Sequence, residues 1–319
     1  MKVLVVSNMY PGLNNEFPQQ GVFVKEQFDA LKNLLKSNIT LYKISGYSVF
    51  TKYIKSIFKI IFLIRKEKYD IIHIHYGLSA FFLFFNFIFP SSTKIFLTCH
   101  GSDLLSSSFV GRFVKWMSLL LATRCNALIC INENIYNIFS SIDCYKFRIA
   151  CGVDTIRFKP NDSNSDYFVF PGSKHNKIKN FSFFNSIVSK YNSKYDKHSI
   201  CTMNGLDREQ VVLLIQNAKA LIMTSIREGS PQSIKEALSC DIPVISTYVG
   251  DVSELLESLP GTHVFQESDS LDTIVDKVHK CIMEASCTRL SRRQRIFDRN
   301  LSNDSVANQL LEAYNQVIG

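Results

Sequence analysis

Two glutamates, a glycine, a serine and a proline stand together in Arg227-Glu228-Gly229-Ser230-Pro231-Gln232-Ser233-Ile234-Lys235-Glu236-Ala237-Leu238. The run follows the apolar residues Ala220-Leu221-Ile222-Met223-Thr224-Ser225, so the order reads as strand, turn, helix. Ser230 is expected to cap that helix and Pro231 to take its first position. The backbone N–H groups of residues 230 to 233 then lack partners inside the helix, and the helix dipole makes this start attractive to an anion. Glu228 precedes the helix and Glu236 lies in its second turn. Carboxylates accept hydrogen bonds from sugar hydroxyls, so an anion-binding helix start beside two of them suits a sugar attached to phosphate.

Other residues of chemical interest also sit just past apolar runs. His100, in Thr98-Cys99-His100-Gly101-Ser102-Asp103, opens a loop at a strand's carboxyl end, where doubly wound sheets keep their ligands. Gly21 begins Gly21-Val22-Phe23-Val24-Lys25-Glu26-Gln27 after a polar turn over 11–20; it either lets backbone approach a ligand closely or is an ordinary loop glycine. Gly172-Ser173-Lys174-His175-Asn176-Lys177-Ile178-Lys179-Asn180-Phe181 brings lysines to the end of another strand, where they are solvated unless a downstream anion site engages them. Asn204-Gly205-Leu206 ends a strand over 199–203, and Asp207 is expected to cap the helix that follows.

The elements that must position these residues alternate. Strands are expected at 2–6, 39–44, 70–75, 94–99, 127–131 and 147–150, separated by helix-like segments, which is the pattern of a doubly wound parallel α/β sheet. A second set begins at 167–171 and continues at 199–203, 220–225 and near 263–265. With 319 residues the length prior is about two domains. The polar stretch 161–166 reads as a linker.

Glu228-x7-Glu236 within Glu-Gly-Ser-Pro, followed by Asp241-Ile242-Pro243-Val244-Ile245-Ser246-Thr247 and Val249-Gly250-Asp251-Val252, resembles the retaining glycosyltransferases of family 4. It looks most like the bacterial surface-polysaccharide branch that includes teichuronic-acid transferases. The resemblance implies the GT-B fold, with two Rossmann-like doubly wound domains facing across a cleft. An acceptor domain would span 1–155, a nucleotide-sugar donor domain 156–304, and a helix over 305–319 would cross back. Cys151-Gly152-Val153-Asp154-Thr155-Ile156-Arg157-Phe158-Lys159-Pro160 is similar to the family's interdomain segment, with Cys151 where Asn is usual. By the same resemblance His100 and Glu228 contact the transferred sugar, Lys179 faces the donor diphosphate and Glu236 holds the ribose hydroxyls. Gly21, Ser173, Lys174, Asn204, Gly229, Ser230 and Pro231 complete the expected donor site. Ser173 stands where many relatives carry Arg, and Lys174 or Lys177 would supply that charge.

The reaction implied is transfer of a hexose from a nucleotide-sugar to a polysaccharide or lipid-linked oligosaccharide. Fixed donors at the leaving diphosphate stabilise the transition state. Lysine and a helix start can carry that charge, and the chain has no Asp-x-Asp, so neither a metal nor another cofactor is expected. A nucleotide-sugar epimerase of the same architecture and a non-catalytic relative are the alternatives.

The net charge of +8 is unevenly placed. Residues 1–155 hold 17 Lys+Arg against 9 Asp+Glu, and the remainder is balanced at 19 against 19, so an anionic partner is expected on the first half. In 49–66, Lys52, Lys55 and Lys59 fall on one helical face and Ile54, Ile57, Phe58, Ile61 and Ile64 on another. A helix packed on the sheet and a helix lying on an anionic membrane account for this equally well. No nucleic-acid motif accompanies the charge, so nucleic acid is not expected as a partner. Nine cysteines without a C-x-x-C pair fit reduced thiols, and no apolar stretch is long enough to span a bilayer. The expected location is cytoplasmic, with peripheral contact at the inner membrane face left open.

Overall fold

The computed structural model describes residues 1–14, 19–46, 49–90, 92–162 and 165–319. Parts of the expected turn over 11–20 and of the expected linker over 161–166 lie outside them. The chain forms two compact units, Met1–Cys151 with Asn303–Gly319, and Gly152–Ser302.

The first unit begins β1 (Val3–Ser7), α1 (Val22–Leu35), β2 (Ile39–Lys43), α2 (Val49–Glu67) and β3 (Ile71–His75). A 3₁₀ segment (Gly77–Ile88), β4 (Lys94–Cys99), α3 (Phe109–Ala122), β5 (Ala127–Cys130), α4 (Glu133–Ile138) and β6 (Tyr145–Arg148) follow. β1 and β3 are buried along their whole length, as apolar strands covered on both faces must be. The strands pair in parallel in the order β2-β1-β3-β4-β5-β6. β6 ends two residues earlier than the apolar run over 147–150 suggests. Its register is set by pairing Tyr145 with Ala127 and Arg148 with Cys130, and Tyr145 stacks on Phe147 at 6.3 Å.

The second unit holds β7 (Tyr167–Phe170), a 3₁₀ turn (Lys177–Lys179), α5 (Phe181–Lys194), β8 (Ser199–Thr202), α6 (Arg208–Gln216), β9 (Ala220–Met223) and α7 (Gln232–Ser239). It continues with β10 (Val244–Thr247), α8 (Val252–Leu256), β11 (Thr262–Phe265), α9 (Leu271–Cys287) and α10 (Ser291–Asp298). Its parallel sheet has the order β11-β10-β9-β7-β8. Asp207 caps α6 as expected, accepting from Gln210 N–H at 2.9 Å while the Gln210 side chain accepts from Asp207 N–H, a reciprocal capping box. The last helix, α11 (Asn303–Ile318), belongs to the first unit. Its Val306, Leu310 and Tyr314 share a core with Val3, Ile71 and Phe96, closing one side of that sheet. α2, the Gly77–Ile88 segment and α3 close the other through Ile60, Phe82 and Leu121.

Two local features bear on the sequence reading. The apolar face of α2 is wider than its core contact: Ile57, Ile60 and Ile64 are buried, whereas Ile54, Phe58 and Phe62 are exposed alongside Lys55 and Lys59. Gly21 has φ 81°, and a Cβ there would lie 2.5 Å from the carbonyl carbon of Met9. The close approach is therefore to the chain's own Met9–Tyr10 backbone. Gly21→Ala is expected to destabilise the protein by at least about 1–2 kcal/mol, the cost of a left-handed residue with a side chain, read as a lower unfolding midpoint in denaturant.

Candidate active site

The second sheet changes direction beside β7, which pairs with β8 on one edge and β9 on the other. The loops leaving β7 and β9 therefore diverge, and such a switch point is where open α/β sheets hold ligands. Lys179 comes from the first loop and Glu228 from the second. Lys179 Nζ donates to Glu228 Oε1 at 2.6 Å, with side chains 21% and 17% exposed. The Thr224 hydroxyl fixes the loops together by donating to the Lys179 and Asn180 carbonyls at 2.9 and 3.0 Å, and Ile226 N–H donates to the Ile178 carbonyl at 2.9 Å. Gly172 leaves room for the lysine stem, since a Cβ there would sit 3.1 Å from Lys179 Cγ.

The other residues of the β7 loop are turned to local partners. Ser173 Oγ accepts from His175 N–H at 3.3 Å, and Lys174 Nζ stands 5.0 Å over the Phe181 ring. Lys177 is exposed. Asn204 is exposed in the turn between β8 and α6, where Gly205 takes φ 76° with open space around it.

The helix after Glu228 begins one residue later than expected. Pro231 is its N-cap (φ −68°, ψ 117°), Gln232 is its first residue, and no side chain caps it. Ser230 does not cap because its hydroxyl is used elsewhere, donating to Asp251 Oδ2 at 2.6 Å and accepting from Lys235 Nζ at 3.1 Å. Lys235 is fully buried, and burial pushes the Asp251 carboxyl above the usual carboxylate range. Gly250, with φ 56°, is required where the loop after β10 meets the elbow: a Cβ would fall 2.2 Å from the Gly229 carbonyl oxygen. Backbone packing and the Ser230–Asp251 bond thus hold Gly229, Ser230 and Pro231 in place.

Glu236 is 3% exposed and accepts from Arg208 Nη1 at 2.7 Å. The Arg208 guanidinium lies 4.5 Å over the Phe158 ring. Sequence reasoning missed Arg208, Lys235 and Asp251. Arg208 and Glu236 lie on different helices with strand β9 between them, so no local spacing announces the pair. Asp251 was visible only as part of the family-like string.

In the first unit, Asp103 shapes the loop after β4. Its Oδ1 accepts from the His100 and Gly101 N–H groups, both at 3.0 Å, and its Oδ2 from Gly77 N–H at 3.1 Å. The His100 ring packs 4.7 Å from Phe23 of α1 and stacks on His75 with 12° between the planes. His100 Nε2 lies 3.0 Å from His75 Nδ1, and His100 Nδ1 lies 3.8 Å from Cys151 Sγ. His75 stacks in turn on His73, which is hydrogen-bonded to the Tyr314 hydroxyl and, at 2.7 Å, to Thr98 Oγ1. Burial lowers the His75 pKa to about 3 and holds His73 well below its ordinary value. A neutral His75 has one N–H and one lone pair, so its tautomer decides whether its Nδ1 donates to His100 Nε2 or accepts from it.

The pH consequence has a definite sign. The folded pKa values of His73 and His75 lie below the unfolded value near 6.5, so below that pH the unfolded chain takes up protons the folded one refuses. Their contribution to stability is complete above pH 6.5 and is lost as the pH falls toward 3. Replacing His75 by Gln should flatten the acid slope by up to about 1.4 kcal/mol per pH unit in that window. Urea midpoints at pH 7 and pH 4.5 for both proteins measure it, and equal slopes would contradict the assignment.

Residues 13–157 match the model for Glycosyltransferase Family 4, and residues 190–296 match that for Glycosyl transferases group 1. The first match includes Gly21 and His100 and the second Asn204, Glu228 and Glu236, whereas Lys179 lies between them. A sequence search of curated proteins found no match. Among solved structures, sucrose-phosphate synthase from Thermosynechococcus elongatus shares the fold at a TM-score of 0.78 with 11% identity, over 99% of each chain. HepE from Anabaena, solved with UDP, has a TM-score of 0.71 and 14% identity over 99% of this chain and 100% of its own. The lipopolysaccharide outer core galactosyltransferase WaaB has a TM-score of 0.69 and 13% identity over 99% of both chains. A Family 4 match followed by a group 1 match, on two Rossmann-like units that share their fold with solved glycosyltransferases, makes this chain a glycosyltransferase of the GT-B fold.

Proposed function

We propose that the chain transfers a hexose from a nucleotide diphosphate sugar to a hydroxyl of a polysaccharide or lipid-linked oligosaccharide, retaining anomeric configuration and needing no metal. The observation that carries this reading is the Lys179–Glu228 pair at the switch point of the second sheet, three residues before the N-cap of α7, which no side chain caps. The ammonium has three donors and Glu228 takes one, which leaves it able to meet a phosphate oxygen. As the bond from the anomeric carbon to the diphosphate breaks, negative charge grows on the leaving oxygen, and Lys179 with the N–H groups at the start of α7 stabilise it. The acceptor oxygen forms the new bond to the anomeric carbon, and its proton passes to the departing diphosphate. Glu228 would hold sugar hydroxyls and Glu236, aimed by Arg208, the ribose. His100, oriented by Asp103 and His75, would meet the transferred sugar.

HepE was solved with UDP and with UDP-glucose, which makes uridine nucleotides the first donors to test. The resemblance of the Glu228–Asp251 string to surface-polysaccharide transferases of the teichuronic-acid kind, together with the likeness to an outer core galactosyltransferase, supports a cell-surface glycan as the acceptor to test. Thermal unfolding with UDP, GDP and ADP should show stabilisation by one of them, about 2.7 kcal/mol at a hundredfold excess over Kd. Lys179→Ala and Glu236→Ala should each weaken that nucleotide about 10- to 100-fold, as loss of a charge-assisted bond does. Unchanged affinity in both variants sinks the site. Donor turnover without any acceptor would instead indicate an epimerase.

A further inference from the structure

The same side of the first sheet is covered by α2, the Gly77–Ile88 segment and α3, which bury residues in one shared core. The Gly77–Ile88 segment packs against both helices. Each element also presents apolar side chains to solvent. On α2, Ile54, Phe58 and Phe62 follow one another at four-residue spacing and are 42%, 72% and 62% exposed. The 3₁₀ segment contributes Phe87, 80% exposed. On α3, Phe109, Phe113 and Trp116 share a face at 81%, 52% and 57% exposure, with the Phe113 and Trp116 rings 5.9 Å apart. α2 is already anchored by Ile57, Ile60 and Ile64, so its exposed stripe is surplus to the fold.

The charges beside this stripe have one sign. Lys55, Lys59, Arg65 and Lys66 on α2, with Arg112 on α3, are exposed. The acid at the end of α2, Glu67, pairs with Lys2, and neither α3 nor the 3₁₀ segment contains an acid. Scattered large aromatics among lysines and arginines, without carboxylates, match an anionic bilayer surface: rings enter the headgroup layer while cationic heads meet phosphates. A protein partner of ordinary composition offers no comparable match to such one-sided charge.

We propose that the first unit docks on anionic lipid through α2, the Gly77–Ile88 segment and α3, with Phe58, Phe62, Phe87, Phe113 and Trp116 as the inserting side chains. This deepens the reading of a membrane-side acceptor and rests on it only in purpose, because lipid binding is read without donor or acceptor. Failure to bind lipid and failure to transfer sugar are therefore separate results.

Trp116 is the chain's single tryptophan, so its fluorescence reports on this face alone. Vesicles of phosphatidylcholine mixed with phosphatidylglycerol should shift its emission to the blue, and vesicles of phosphatidylcholine alone should not. The double variant Lys55→Glu, Lys59→Glu should bind the anionic vesicles at least about tenfold more weakly. Phe58→Ser with Phe62→Ser should weaken binding independently. Cooperative unfolding in urea with a midpoint close to that of the unaltered protein should persist in both and shows that they fold. Absence of a blue shift, an equal shift with neutral vesicles, or undiminished binding of the charge-reversed variant overturns the proposal. Self-association in place of vesicle binding would assign the face to a second copy and overturn it equally.

Discussion

An ammonium group held 2.6 Å from a carboxylate, both mostly withdrawn from water, is the contact around which the second unit is arranged. Lys179 and Glu228 are far apart in sequence, and only the parallel pairing of β7 with β9 brings their loops to one place. The Thr224 hydroxyl then ties the loops by bonding two carbonyls of the lysine's own turn. Glu228 gives a partly desolvated ammonium a partner in the absence of ligand, which limits the cost of withdrawing it from water. The ammonium also keeps donors to spare, so an arriving phosphate need not break the pair. Parallel sheet topology is thus a condition for the charge arrangement as well as for the core.

The first unit shows the same dependence over a longer span of chain. His75 and His100 meet because β3 and β4 are neighbours, but the column continues through His73 to Tyr314 of α11. That helix follows the entire second unit in sequence. Its Val306, Leu310 and Tyr314 complete the core under Val3 and Phe96. The histidine column therefore becomes fully enclosed only when residues on both sides of the second unit have come together, which links the first unit's site to its long-range core.

Much of this was legible from residue order. Apolar runs placed the strands, Asp207 announced its helix cap, and the Glu-x7-Glu string with its Gly-Ser-Pro turn pointed to the loop that receives Lys179. What escaped depends on partners distant in sequence. Ser230 has the chemistry of a cap, but Asp251, brought in by the Gly250 turn, offers its hydroxyl a stronger acceptor, so proline takes the cap position. Gly21 has the permissiveness of a loop glycine, but its close packing against the Met9–Tyr10 backbone is not written in its own segment. The periodicity of α2 showed an amphipathic helix without showing that the sheet takes only part of the apolar arc. The exposed aromatics of α3 form a run like any buried helix until neighbouring elements are in place.

The two units handle charge in opposite ways. In the second, the charges near the elbow are internally matched: Lys179 with Glu228, Arg208 with Glu236, and Lys235 with Ser230, which in turn bonds Asp251. A ligand there must exchange hydrogen bonds with groups that already have partners, which demands geometric fit and makes the interaction short-ranged. In the first, Lys55, Lys59, Arg65 and Lys66 of α2 and Arg112 of α3 lie exposed on elements nearly devoid of acids, so their field reaches outward about a Debye length and weakens with added salt. Recognition of a small donor calls for the first arrangement, because discrimination among nucleotides depends on which bonds are remade. Attraction to an extended anionic surface calls for the second, because no single contact need be specific. The balanced charge of residues 156–319 and the excess on residues 1–155 are what the proposed donor site and the proposed lipid-facing surface would respectively require.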